Sequence, residues 1–149
     1  MGHTYSSLYF HVIWSTKDRK PIIKTSFRNK LYSYIGGIIK KEKTDLLSIG
    51  GISNHIHILI KTNTQNKISD LIQKIKGGSS AFINQTLPNE KFNWQSGYGI
   101  FAVSISKVDT VKQYIVNQEL HHKKISYENE FEKLLDKHKI KYKKDFLFQ

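Results

Sequence analysis

The chain switches between two hydrophobic periods. Over residues 8–15 apolar side chains recur at every second position: Leu8, Phe10, Val12 and Trp14 take one face, and Tyr9, His11 and Ile13 the other, the period of a β-strand. The basic turn Lys17-Asp18-Arg19-Lys20-Pro21 ends it. Over 25–41 the spacing becomes helical, with Phe27, Leu31, Ile35 and Ile38 on one stripe and Thr25 or Ser26 as cap. Residues 46–49 predict a short strand, Gly50-Gly51 a turn, and 54–61 a second strand, so the pair reads as a hairpin. A second helix is expected over 68–85, with Ile68, Leu71, Ile72, Ile75 and Phe82 on its apolar stripe; Gly77-Gly78 would bend it or admit a close backbone, and Leu87-Pro88-Asn89 stops it. Residues 99–106 predict a strand in which Phe101, Val103 and Ile105 alternate. Ser106 with Asp109 has the spacing of a capping box opening a helix that runs to about residue 122. A last helix is expected over 126–139, before a basic tail that closes on Phe146-Leu147-Phe148.

The order strand, helix, strand, strand, helix, strand, then further helices predicts an α+β protein. It is the order of a ferredoxin-like, RRM-like βαββαβ antiparallel sheet with helices on one face, here followed by C-terminal helices. With 149 residues and no internal repeat, residues 1–149 read as a single domain. Hydrophobic content of 38% against 24% charged is that of a globular chain. There is no cysteine, which removes disulfides and thiolate metal sites and favours a cytoplasmic address. Met1-Gly2-His3-Thr4-Tyr5 lacks the basic-then-apolar pattern of a signal peptide. No apolar run reaches the roughly 20 residues of a membrane span. Charge changes the picture most: 24 Lys and Arg against 12 Asp and Glu leave +12, which points to a polyanion and first to nucleic acid. A lysine-rich composition from an AT-rich genome, in keeping with the abundant Ile and Asn, is the plainer reading of the same numbers.

The candidate chemistry begins at Asn54-His55-Ile56-His57-Ile58-Leu59-Ile60. Strand alternation puts His55, His57 and Leu59 on one face, and Ile56, Ile58 and Ile60 on the other. The isoleucines are candidate core, so the histidines point away from the packed helices toward the open sheet face. Two imidazoles at i and i+2 can meet one divalent ion, and neutral imidazole is a common ligand. Two polar residues on an exposed strand is the competing reading.

The second segment is Val111-Lys112-Gln113-Tyr114-Ile115-Val116-Asn117-Gln118-Glu119. Val108, Val111 and Ile115 form the buried stripe of its helix, and Tyr114 and Gln118, four apart, are surface neighbours. A phenol beside an amide oxygen could meet a metal-bound phosphate, with Tyr114 as nucleophile and Gln118 as a third, weaker ligand. Alone, such a tyrosine is ordinary half-buried packing. His121 and His122 follow one turn on and read as solvated helix-end residues, contact with phosphate or metal being the other reading.

Taken in order, these segments resemble one family. From Tyr9-Phe10-His11-Val12-Ile13-Trp14-Ser15-Thr16-Lys17 through Tyr142, the chain resembles the TnpA-type single-tyrosine HUH transposases of the insertion-sequence class, whose relatives act on repetitive extragenic palindromes. The strongest matches are Asn54-His55-Ile56-His57 and Tyr114-Ile115-Val116-Asn117-Gln118-Glu119-Leu120-His121-His122. The resemblance implies that His55 and His57 bind a metal, that Gln118 completes the coordination, and that Tyr114 is the nucleophile. It implies magnesium or manganese, although imidazole also suits zinc. It further implies hairpins near the element ends as recognised DNA, and a homodimer in which each Tyr114 helix can serve the partner's histidines. Reach to a tyrosine favours single-stranded DNA, and two cleavages per excision favour two sites. Candidate backbone contacts are Lys17, Arg19, Lys20, Lys74 and Lys76, with Lys141, Lys143 and Lys144 in the tail. Tyr9, Trp94 and Tyr98 could stack on bases or pack in the core. Two rivals share the residues. A non-catalytic RRM-like nucleic-acid binder would need aromatics on the open face of the central strands. A metal hydrolase would need a general base, and acids are sparse near these motifs.

Overall fold

The structure, a computed structural model, describes residues 2–149; Met1, the start of the segment weighed as a leader, lies outside them. Four strands, β1 (Leu8–Ser15), β2 (Asp45–Ile52), β3 (His55–Thr62) and β4 (Gly99–Val103), form one sheet of order β2-β3-β1-β4. Every neighbouring pair is antiparallel. Helices α1 (Thr25–Lys41) and α2 (Ile68–Thr86) connect them in the βαββαβ order, and α3 (Val108–Val116), α4 (Gln118–His121) and α5 (Tyr127–Lys137) follow. The predicted fold class stands. No helix among the described residues is long and apolar enough to cross a membrane.

Alternation along β1 and β3 decides what each face holds. Val12, Trp14, Ile56, Ile58 and Ile60 point to one side, where Phe27, Leu31, Ile35 and Ile39 of α1 and Leu71, Ile72, Ile75 and Ile83 of α2 bury them. Ile39 rather than Ile38 completes the α1 stripe; Ile38 is half-buried, and its Cδ1 lies 2.9 Å from where a Cβ at Gly78 would be. That close approach is what the Gly77-Gly78 pair permits.

The other sheet face is not open. Ile13 and Phe101 pack under Tyr127, Phe131 and Leu135 of α5, and Leu59 packs under Val108 and Ile115 of α3. The expectation of an open face failed because the chain after β4 spends its apolar residues there rather than on solvent. The carboxyl terminus adds to this cover, Phe148 lying against Tyr127 and Phe131.

Four local expectations are corrected. Gly50 and Gly51 are not the hairpin turn: they pair with His57 and Ile56 inside β2, and Ser53-Asn54 makes the turn. Gly50 serves packing, since a Cβ there would lie 2.2 Å from the Ile115 carbonyl oxygen of α3. β4 ends at Val103, and Ile105, 64% exposed, begins the short 3-10 turn Ile105–Lys107 instead of continuing the strand. The Ser106–Asp109 capping box does not form: Ser106 Oγ pairs with Ser104 Oγ at 3.1 Å, and the α3 cap position is Lys107, with no side-chain bond. The helix expected to reach residue 122 breaks at Asn117 (φ −96°, ψ 19°). In contrast, Ser126 caps α5, its Oγ accepting from the Asn129 amide at 3.2 Å.

Candidate active site

β3 carries His55 and His57 into the interface between the sheet and the C-terminal helices. Both are fully buried. His57 sits opposite Ile13 on β1 and Gly50 on β2. This register brings in a residue that sequence spacing missed: His11 of β1, two positions along the same face, lies with Nε2 2.7 Å from His57 Nδ1.

The bend at Asn117 lets α3 and α4 present two side chains inward. Gln118 is 1% exposed. Its Oε1 lies 3.0 Å from His55 Nε2 and 2.9 Å from His122 Nε2. Tyr114 stands edge-on to His57, ring centroids 5.6 Å apart, and to His121 at 5.2 Å. Tyr114 thus stands against His57 of the same chain.

Glu130 of α5 occupies the centre. It is 2% exposed. Its Oε1 faces His57 Nε2 at 3.0 Å, His122 Nε2 at 3.1 Å and His55 Nε2 at 3.4 Å. Its Oε2 accepts from the Tyr114 hydroxyl, from Gln118 Nε2 at 3.1 Å, and faces His121 Nε2 at 3.1 Å. Burying a lone carboxylate costs several kcal/mol, while a hydrogen bond to a charged group returns about 1.5–3 kcal/mol. Several such bonds are therefore required here, and these six polar neighbours are there to supply them.

Sequence reasoning favoured a solvated His122 and found acids sparse near the motifs. The structure corrects both. His122 has a 4% exposed side chain, and Glu130, twelve residues beyond Gln118, folds back onto it. The helix break and the short loop before Ser126 make this possible, and neither is written in hydrophobic spacing.

Ring protons follow from the partners. His122 Nδ1 lies 2.7 Å from the Ile125 carbonyl oxygen, which can only accept, so Nδ1 carries the hydrogen. In the neutral ring the Nε2 lone pair then faces two oxygens, Gln118 Oε1 and Glu130 Oε1. His55 is arranged alike, with Nδ1 2.9 Å from Asn54 Oδ1 and Nε2 toward Gln118 Oε1. Lone pairs facing oxygens repel unless the ring is protonated or a cation lies among them. One ligand atom each from His55, His57, His122 and Glu130 falls within 4.8 Å of the others. This donor set fits a divalent cation, and the bonds at Nδ1 orient the rings as metal-binding histidines usually are oriented. Imidazoles suit later transition metals, whereas the carboxylate and amide oxygens suit magnesium or manganese.

The charge states are shifted accordingly. Burial pulls His57 down to about 4 and His11 down to about 3, with mutual repulsion adding to the shift in His11. Burial alone would raise Glu130, but hydrogen bonds with His122, His55 and His57 outweigh it and hold the carboxyl well below its ordinary range. For His122 burial lowers and the Glu130 contacts raise, and the net shift is upward. Burial, and then the Glu130 charge, push the Tyr114 phenol above its ordinary value.

The cationic candidates are scattered. Lys17 and Lys20 are exposed at the turn after β1, while Arg19 pairs with Glu128 at 2.9 Å and lies over Phe148. Lys74 and Lys76 lie on α2, across the sheet from the histidines. Lys74 pairs with Glu42 at 3.1 Å, and Lys76 binds the carbonyls of Ser96 and Gly97 at 3.0 and 2.8 Å. Lys141, Lys143 and Lys144 are exposed in the tail. Trp94 packs edge-on against Trp14, Tyr9 packs beside Leu59, and Tyr98 is partly exposed. Other lysines share a cavity with the tyrosine: Lys107, Lys133 and Lys137 line a cleft of about 670 Å³ that Tyr114 and Glu130 also line.

The sequence profile of the family described as "Transposase IS200 like" matches residues 4–118. The chain belongs to that family. The matched stretch takes in His55, His57, Tyr114 and Gln118 and ends there, so His122 and Glu130 lie beyond it. A similar relative is the ISDra2 transposase TnpA of Deinococcus radiodurans, 24% identical over 123 residues that cover 78% of this chain and 87% of that protein. Among solved structures, a Deinococcus radiodurans chain assigned as a transposase aligns with a TM-score of 0.65 at 24% identity, over 79% of this chain and 96% of that one. A REP-associated tyrosine transposase bound to a REP hairpin aligns with a TM-score of 0.59 at 13% identity, over 82% of this chain and 74% of that one. These likenesses agree with the βαββαβ sheet and its C-terminal helices.

Proposed function

We propose that this family member cleaves and rejoins single-stranded DNA through a 5′-phosphotyrosine on Tyr114, excising and inserting an insertion-sequence element. The observation that carries the reading is the Tyr114 hydroxyl on the same carboxylate that touches His57 and His122. A nucleophile and a metal-fitting donor set thus share one buried group.

His55, His57 and Gln118 are the proposed ligands, and the donor geometry adds His122 and Glu130 to them. A divalent ion there, magnesium or manganese, would supply positive charge to offset Glu130 and polarise the scissile phosphate. The chain's own residues do the rest. Gln118 and Glu130 orient the Tyr114 hydroxyl. His11 holds the His57 ring through its Nδ1. The helical cover keeps bulk water from the histidines. Tyr114 Oη forms a bond to phosphorus as the bond to the 3′ oxygen breaks; the phenol proton passes by way of the Glu130 carboxylate to the departing 3′ oxygen, so that strand leaves with a 3′-OH and Glu130 ends as the anion it began as. Attack of another 3′-OH on the ester reverses these changes and joins strands without ATP.

One tyrosine makes one covalent bond, so excision with two cleavages favours a homodimer. Hairpin DNA as substrate is supported by the hairpin-bound neighbour, and Lys17, Arg19, Lys20, Lys74, Lys76 and the tail lysines remain proposed backbone contacts. Cytoplasmic action is part of the same proposal. The RRM-like rival is disfavoured because α3, α4 and α5 cover the sheet face on which it would stack bases. The hydrolase rival gains a base in Glu130, and the product separates the two. Labelled single-stranded hairpins with magnesium or manganese should leave a denaturation-resistant adduct with the wild type and none with Tyr114→Phe. Cleavage without any adduct would favour the hydrolase.

A further inference from the structure

The cleft beside Tyr114 is distinct in chemistry from the histidine cluster. Its floor is apolar, formed by Phe101 of β4, Val111 of α3 and Leu134 of α5. Its α5 wall follows the helical period: Glu130 at the inner end, Lys133 about one turn out, Lys137 about two turns out, each turn advancing about 5.4 Å. Lys107, just before α3, also lines it. A volume of about 670 Å³ lies within the range of small-ligand sites.

At the outer end His138 offers a fixed aromatic face. Its Nδ1 donates to the Leu134 carbonyl at 2.8 Å, and its ring stacks on Phe101 with centroids 4.5 Å apart, yet the residue is exposed. An aromatic ring held by a hydrogen bond and a stacking partner loses little freedom when a base is laid on it. Sequence-independent binders of single strands use this combination of stacking rings and a cationic track.

We propose that this cleft holds the unpaired nucleotides flanking the phosphate that Tyr114 attacks, one base stacking on His138 and the backbone running along Lys133 and Lys137. The occupant is single-stranded DNA rather than an apolar small molecule, because three lysines line the cleft and because Tyr114 lines it too. The inference rests on the strand-transfer reading above and assigns its substrate track.

Binding of a labelled single-stranded oligothymidine, and of the same strand made abasic, tests it by fluorescence anisotropy without metal, so that no cleavage is needed. His138→Ala should weaken binding of the intact strand about tenfold and leave the abasic strand within about twofold. Lys133→Glu with Lys137→Glu should weaken both and reduce the salt slope by about 1.4, at roughly 0.7 per phosphate contact on single strands. In the wild type, the His138 ring protons should shift on adding the intact strand and not the abasic one. Wild-type binding with both variants unchanged and no His138 shift overturns the cleft while leaving the strand-transfer reading intact. A wild type that binds no single strand and forms no adduct overturns both.

Discussion

The hydroxyl of Tyr114 donates a hydrogen bond to the Glu130 carboxylate, sixteen residues along the chain. Through that carboxylate the tyrosine on α3 is tied to His57 on β3 and to His122 after α4. One buried anion therefore holds together the sheet and the three helical segments that cover it.

Removing the anion should be felt in stability before any chemistry is assayed. Breaking a buried charged network costs about 3 kcal/mol or more. Glu130→Ala should lower the urea unfolding free energy of metal-free protein by about that amount, and Glu130→Gln by less, since the amide still accepts from Tyr114. An unchanged midpoint for Glu130→Ala would mean that the carboxylate does not organise the site.

Acid should weaken the metal-free fold. His57 and His11 stay neutral in the folded state down to about 4 and 3, against 6.5 when unfolded. Between those values the unfolded chain takes up protons that the folded one refuses, so stability is full above about pH 6.5 and falls as pH drops. Glu130 acts in the same sense lower down: its carboxyl is held below the ordinary 4.5, so its contribution is lost only below that pH. His122, shifted upward, opposes this trend. The urea midpoint should decline from pH 7 to pH 4.5, and His11→Gln should flatten that decline. A midpoint that rises on acidification would contradict the assignment of neutral rings.

Metal affinity tests whether His122, which the structure brings to the site, is a ligand or a bystander. Manganese should bind more tightly than magnesium, because three imidazoles face the site. His122→Ala should weaken manganese binding, read by calorimetry, by at least about tenfold. Loosening the second nitrogen's partner through His11→Gln should cost about 10- to 100-fold through ring orientation. Equal affinity in His122→Ala and wild type would remove His122 from the proposed ligands and leave His55, His57, Gln118 and Glu130.

Gly50 links the fold to the helix that carries Tyr114. A methyl group there would collide with the Ile115 carbonyl, the residue after Tyr114. Gly50→Ala should push α3 off β2, costing about 1–3 kcal/mol and lowering adduct yield more than DNA binding. Gly37→Ala, where nothing lies within 4 Å, is the matched control.

What the sequence made legible was local. Strand alternation put His55 and His57 on one face, and helical spacing put Gln118 beside Tyr114; these positions follow from residues two and four apart. His11 was silent because only strand register, across 46 residues, brings it to His57. Glu130 and His122 were silent because a helix break at Asn117 and a reversal before α5 set their direction, and hydrophobic periods carry no record of either. Gly50-Gly51 looked like a turn because glycine marks both turns and close approaches, and here packing of α3 decided. Lys74 and Lys76 were chosen by charge alone, which does not tell one face of the sheet from the other.

The central claim is that Tyr114 bonds covalently to DNA, and mass mapping tests it most directly. Wild-type protein incubated with single-stranded hairpin DNA and manganese, then digested with nuclease and protease, should yield one peptide heavier by a nucleotide phosphate, with the addition on Tyr114. The same addition on another residue, or cleaved DNA with an unmodified Tyr114 peptide, would contradict the account.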